Sequence, residues 1–193
     1  MTVQIVLKSE DPRPVDGVAW QVLRGHSVGT VRDPDDAPDA LARVRDAHPG
    51  VQAYARLDLE ESGGGATNTG CATIVCSPRG NAVKPYLVPR RGHLACGVHA
   101  RFVGFDFVTV DVDHHREDFE VDINRVRIDP DTAAVTVTPL WELYSGGGVD
   151  ADKDFILRNL PNRVRRFRDA VQAALAKATC YHCREPHYCT YFD

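Results

Sequence analysis

Along this chain, apolar and polar residues alternate far more often than apolar residues recur at three- and four-residue steps, so strands dominate what it predicts. Residues 3–7, Val-Gln-Ile-Val-Leu, read as an opening strand. Residues 18–23 give a second, and a turn around Gly25 returns the chain through 28–31, which makes a hairpin. Pro34, Asp35, Asp36, Ala37 and Pro38 supply a helix start, Leu41 and Val44 give a short apolar stripe, and Pro49-Gly50 stops it. That helix is about three turns at most. From 51 to 59 the apolar residues occupy odd positions, as in a half-buried strand with its odd face inward.

The middle of the chain continues in the same period. Strand-type patterns fall at 72–76, 86–88, 93–103, 105–112, 119–128 and 133–140. Asp129-Pro130-Asp131-Thr132 has Asp at the first turn position and Pro at the second, which presets a type I turn and a hairpin. Apolar residues at 121 and 123 give way to 126 and 128, a slip of phase that a β-bulge near Asn124 would produce, bending the sheet. The last element changes period. Leu160, Val164, Phe167, Val171, Leu175 and Ala178 recur at three- and four-residue steps behind Pro161, which predicts one long amphipathic helix over 161–178.

The expected fold is therefore α+β: an antiparallel sheet that the bulge could curl towards a barrel, a short helix in the N-terminal half and a long amphipathic helix near the C-terminus. One domain over 1–193 is expected, with flexible joints near 62–70 and 145–151, where Gly63-Gly64-Gly65 and Gly146-Gly147-Gly148 lie, and a Cys/His-rich tail at 180–189. No internal repeat emerges.

Composition narrows the function classes. With 43% hydrophobic and 26% charged residues the chain is globular, not a disordered coat. A formal charge of -4 excludes a uniformly basic protein but leaves room for a local basic face. No apolar run approaches the roughly 20 residues that span a bilayer, and residues 1–8 carry no export leader. The expected setting is intracellular (cytoplasmic) or within an assembled particle. The bias of Arg over Lys and Asp over Glu reflects genome composition or salt adaptation and names no function.

Six cysteines in such a setting point to metal chelation before disulfides, because a reducing cytosol leaves thiols available. Cys180, Cys183, His187 and Cys189 sit within ten residues. The Cys-x-x-Cys step lets two sulfurs reach one ion, and zinc accepts tetrahedral sulfur and nitrogen ligands. Four ligands close the shell, which makes the metal structural. Cys71, Cys76, His93 and Cys96 form a looser second set, so the eight ligands suffice for two four-coordinate zinc ions. The ordinary alternatives are a frayed tail of reduced thiols and buried core cysteines.

The Cys180-x2-Cys183-x5-Cys189 spacing also resembles the C-terminal cysteine triplet of the CRISPR-adaptation exonucleases and of AddB-type helicase-nucleases. That resemblance implies an iron–sulfur cluster, with Cys71, Cys76 or Cys96 as fourth thiolate. It covers ten residues, and the strand bearing an acidic residue, any residue and then Lys, which that nuclease core needs, does not occur in this chain.

Four further patterns bear on chemistry. Gly25-His26-Ser27-Val28-Gly29 matches a nucleophile elbow, but strand and turn follow it where a helix is required. Asp111, Asp113 and His115 share one strand face by the two-residue period and could hold a divalent ion, or simply form a solvated strand end. Neither glycine run has a phosphate-loop ending. Arg158, Arg163, Arg165, Arg166 and Arg168 crowd the start of the last helix, where cations oppose the helix dipole unless something anionic compensates: a partner, or Asp150, Asp152 and Asp154 nearby.

The expectation is a non-enzymatic, zinc-stabilised binding or assembly protein whose partner is nucleic acid or other protein subunits, including those of a virion. The competing class is a nuclease-like enzyme using iron–sulfur or a divalent metal.

Overall fold

Strand β1, Thr2–Leu7, is buried from Val3 onward on both faces, which an inner strand of a covered sheet requires. The computed structural model describes residues 1–61, 69–80, 100–115, 118–146 and 149–178. Its remaining strands are β2 (Val18–Leu23), β3 (His26–Val31), β4 (Ala53–Glu61), β5 (Thr69–Cys76), β6 (Ala100–Gly104), β7 (Asp106–His115), β8 (Asp118–Ile128) and β9 (Val135–Gly146). The helices are α1 (Ala37–Ala47), α2 (Val149–Arg158) and α3 (Arg168–Ala178). The chain packs as two units. One comprises Met1–Glu60, Arg101–Asp106 and Val126–Val137, and the other Glu61–Ala100, Phe107–Arg125 and Thr138–Asp193.

The first unit holds a five-stranded sheet in the order β2-β3-β1-β4-β6. β1 pairs antiparallel with β3 and β4, with Ile5 opposite both Gly29 and Ala55. In β4, Ala53, Ala55, Leu57 and Leu59 are buried, the odd face the alternation requires. The β2–β3 hairpin turns through Arg24 and Gly25, with Leu23 opposite His26 and Gly25 at φ +83, a left-handed conformation glycine adopts without strain. Gly29 serves a second purpose. A Cβ there would collide with Val18 Cγ1 and lie 3.0 Å from the Trp20 ring, so its bare backbone lets both side chains lie across β3. Helix α1 buries Ala37, Ala40, Leu41 and Val44, one stripe at helical spacing.

The second unit holds a four-stranded sheet in the order β5-β7-β8-β9. One face carries Ile74, Cys76, Val108, Val110, Val112, Val121 and Ile123, packed with Ile156, Leu160, Val164, Phe167, Ala170, Val171, Ala174 and Leu175 from the helical segment. β8 shows the expected slip of phase: Val121 and Ile123 are buried in that core, then Val126 and Ile128 are buried outside it. The slip falls where the chain leaves one unit and enters the other, between Arg125 and Val126. β9 runs past the expected end at 140 to Gly146. Its Pro139 is tolerated because β9 is an edge strand with one side that makes no ladder bonds.

Two fold expectations require correction. The sheets are not closed into a barrel: among the described residues each keeps two edge strands, β2 and β6 in one and β5 and β9 in the other. The long C-terminal helix is also not formed. The segment that precedes Pro161 forms a helix of its own, α2, which ends at Arg158 because Pro161 disfavours helical backbone at Leu160 and brings no N–H of its own. The chain then makes three-residue turns. Val164 N–H donates to Pro161 O at 3.0 Å and Phe167 N–H to Val164 O at 2.8 Å, and a 3-10 turn over Arg165–Phe167 precedes α3. The apolar face survives: Leu160, Val164, Phe167, Val171 and Leu175 are all buried. Among the described residues no helix is long and apolar enough to cross a membrane.

Candidate functional site

Cys180, Cys183, His187, Cys189, His93 and Cys96 lie outside the described residues, as do the strand expected at 86–88 and most of that at 93–103. Of the cysteines in strands, Cys76 is buried at 1% exposure among the aliphatic residues of the second core. Positions 71 and 76 both belong to β5, whose register with β7 runs unbroken from Thr69 opposite His115 to Cys76 opposite Val108. Five residues apart on a regular strand means opposite faces. Positions 71 and 76 therefore fall on opposite faces of the β5–β7 pair. Among the described residues no group of three His, Cys, Asp or Glu is placed to hold a metal ion.

The acidic strand end is placed as its period requires. Val108, Val110 and Val112 face the core, so positions 109, 111, 113 and 115 lie on the other face of the sheet, opposite Val75, Thr73, Cys71 and Thr69. Thr109 Oγ1 donates to Asp111 Oδ2 at 2.9 Å. That bond gives Asp111 a structural partner within its own strand.

The five arginines are all exposed, and two of them serve the C-terminal end of α2. Arg158 stands in the last turn of α2, where a cation complements the dipole, and its Nε donates to Asp154 O at 3.2 Å. Arg168 donates to Leu157 O at 3.3 Å, satisfying one of the carbonyls a helix end leaves open. Arg163, Arg165 and Arg166 stand at the other end of the connection, before the first turn of α3. Arg166 lies over the Phe167 ring at 5.0 Å. Among the described residues none of the five pairs with a carboxylate, and Asp154 offers Arg158 its carbonyl only.

Arg79 belongs beside them, and sequence reasoning missed it. Gly80 closes a turn by donating to Ser77 O at 2.9 Å, at φ +92, and a Cβ on it would lie 3.0 Å from Arg166 O. Arg79, the residue before this glycine, is exposed. The available signal was Ser77-Pro78-Arg79-Gly80, a turn sequence, but nothing local says what the turn lies against.

The nucleophile-elbow pattern is a hairpin, as its context required. Ser27 is fully buried in β3 and donates to Ser9 O at 2.7 Å. Two buried polar groups that sequence did not single out are fully employed. His48 Nε2 accepts from Arg13 N–H at 2.8 Å while Nδ1 lies 2.9 Å from Val44 O, which fixes one tautomer and ties the 9–17 loop to the end of α1. Asp58, at 5% exposure, accepts from Gln4 Nε2 at 2.7 Å, and Gln4 Oε1 accepts from Arg56 Nε at 3.0 Å. Such a chain of bonds specifies β1–β4 register and needs no ligand.

No protein-family model and no curated protein matches this chain. Among solved structures it is similar to two single-residue variants of ORF157 from Acidianus filamentous virus 1. One shares 12% identity at a TM-score of 0.42, over 61% of this chain and 76% of that one. The other shares 14% at 0.40, over 58% and 74%. An engineered structural-genomics protein shares 12% at 0.37, over 59% and 73%. At these values the likenesses carry no argument about function.

Proposed function

We propose that this chain is a non-enzymatic binding protein that meets nucleic-acid phosphates through the arginine surface of its second unit, Arg79, Arg163, Arg165 and Arg166, with a zinc ion held by Cys180, Cys183, His187 and Cys189 ordering the tail that follows α3. One observation carries the reading: exposed guanidinium groups stand before a helix N-terminus with no carboxylate paired to them among the described residues. Cations there are disfavoured by the dipole, and an anion bound among them reverses the sign of that term while accepting from planar guanidinium forks. Asp169 in the first turn of α3 offsets only part of the charge. Phosphate contacts of this kind fix position on the backbone and read no sequence.

The test is binding of labelled single- and double-stranded oligonucleotides across a salt series, wild type against Arg163→Ala/Arg165→Ala/Arg166→Ala. On duplex DNA each lost phosphate contact reduces the slope of log K against log salt by about 0.9. Binding that ignores salt, or a triple variant that binds as wild type does, removes the reading. Cleavage of the oligonucleotide on adding magnesium or manganese would favour the enzyme class instead.

A further inference from the structure

We propose that β2 is a self-pairing edge: two copies of this chain join β2 to β2, antiparallel, about a twofold axis at Trp20, merging two five-stranded sheets into one continuous sheet. The register decides which backbone groups are available. A two-residue loop makes Leu23 and His26 a hydrogen-bonded pair, so Ala19, Gln21 and Leu23 direct their N–H and C=O groups at β3. Arg32 N–H donating to Gly17 O at 3.4 Å continues the same parity. Val18, Trp20 and Val22 therefore present theirs to the open side, since β2 ends the sheet order. Val18 N–H is already spent on Val15 O at 3.2 Å. Among the described residues the outward groups of Trp20 and Val22 have no backbone partner.

Among the described residues, β2 itself carries no guard. Val-Ala-Trp-Gln-Val-Leu contains no charge and no proline, the usual guards of a strand edge, and Val22 and Leu23 are 54% and 36% exposed. What selects a second copy is the charge at either end. Asp16 precedes the strand and Arg24 follows it, both exposed, and neither forms an ion pair among the described residues. With Trp20 on the axis, Val22 meets Val18 of the partner copy and Arg24 meets Asp16 of the partner copy, twice over by symmetry. Trp20 exchanges two main-chain bonds with its counterpart, and each Val22 N–H reaches the opposite Val18 O without calling on the Val18 N–H. Moving the register by two, so that Trp20 meets Val22, sets Arg24 against Val18 and loses both charge pairs.

Sedimentation velocity on the full chain, from micromolar to sub-millimolar concentration, tests this. Wild type is expected to form a concentration-dependent dimer. Val22→Pro removes an outward N–H that β3 does not use, so it should give a monomer with its circular-dichroism spectrum intact. Arg24→Asp should raise the dimer Kd about tenfold or more by facing like charges, and Asp16→Arg/Arg24→Asp should restore it. A wild type that stays monomeric throughout, or a dimer that Arg24→Asp leaves unchanged, overturns the proposal. The exposed charge pair decides the matter even if Val22→Pro fails to fold.

Discussion

The β8–β9 turn shows how much one side chain can organise. Asp129 Oδ1 accepts from Asp131 N–H at 2.8 Å and Thr132 N–H at 2.9 Å, while Ala133 N–H returns to Asp129 O at 2.9 Å. Closing the turn places Ala133 at φ 60, a left-handed conformation costing a non-glycine residue roughly 1–2 kcal/mol, and Ala133 is nonetheless buried at 1% exposure. The Thr132 N–H, then the Asp131 N–H, hold the Asp129 carboxyl below its ordinary pKa. Because the folded value is the lower one, the carboxylate's contribution to stability is complete above the unfolded pKa of about 3.9 and is lost as pH falls through the folded value. In NMR titrations Asp129 should therefore titrate below an ordinary aspartate, and Asp129→Asn should melt with less loss between mildly and strongly acidic pH. A carboxyl titrating at or above the ordinary value would refute this. The turn itself was legible from Asp129-Pro130, because the chemistry is local; the left-handed alanine was not, because its residue type argues against it.

At the scale of elements, the segment after α2 separates what periodicity says from what it cannot say. The steps from Leu160 to Val164, Phe167, Val171 and Leu175 are four, three, four and four residues, and all five side chains are buried. A continuous α-helix and a turn followed by a 3-10 turn and a shorter helix both satisfy those steps, since three residues make one 3-10 turn. Pro161 decides the matter by its effect on the residue before it. Phe167, with no exposed surface, is the hinge of the arrangement: it closes the 3-10 turn and fills the second core. Phe167→Ala should cost about 3–5 kcal/mol of unfolding free energy, read by urea denaturation of the second unit's helical signal. A loss below about 1 kcal/mol would mean this packing is wrong. Helix α2 escaped the sequence reading because only Ile156 of its described residues is fully buried, too little for a stripe, and because its acidic start and Arg158 at its end resemble a solvated loop.

Across the whole molecule, metal and assembly are the open chemistry. A zinc ion on Cys180, Cys183, His187 and Cys189 predicts about one equivalent of zinc in purified, colourless protein, and Cys183→Ser should release it and lower the melting temperature. Unchanged metal content and melting in that variant would dismiss the site, and a brown protein would point to iron–sulfur.

Period and turn chemistry alone specified the hairpins of β2–β3 and β8–β9, the stripe of α1, the odd face of β4 and the slip of phase in β8, because each depends on neighbours within a few residues. Sheet order, the open edges, the division of β8 between two units and the approach of Gly80 to Arg166 came only from the folded chain. Those features, the Gly80 approach to Arg166 included, depend on which distant surfaces exclude water together, and a strand's pattern of apolar residues records that it has a buried face without recording what buries it.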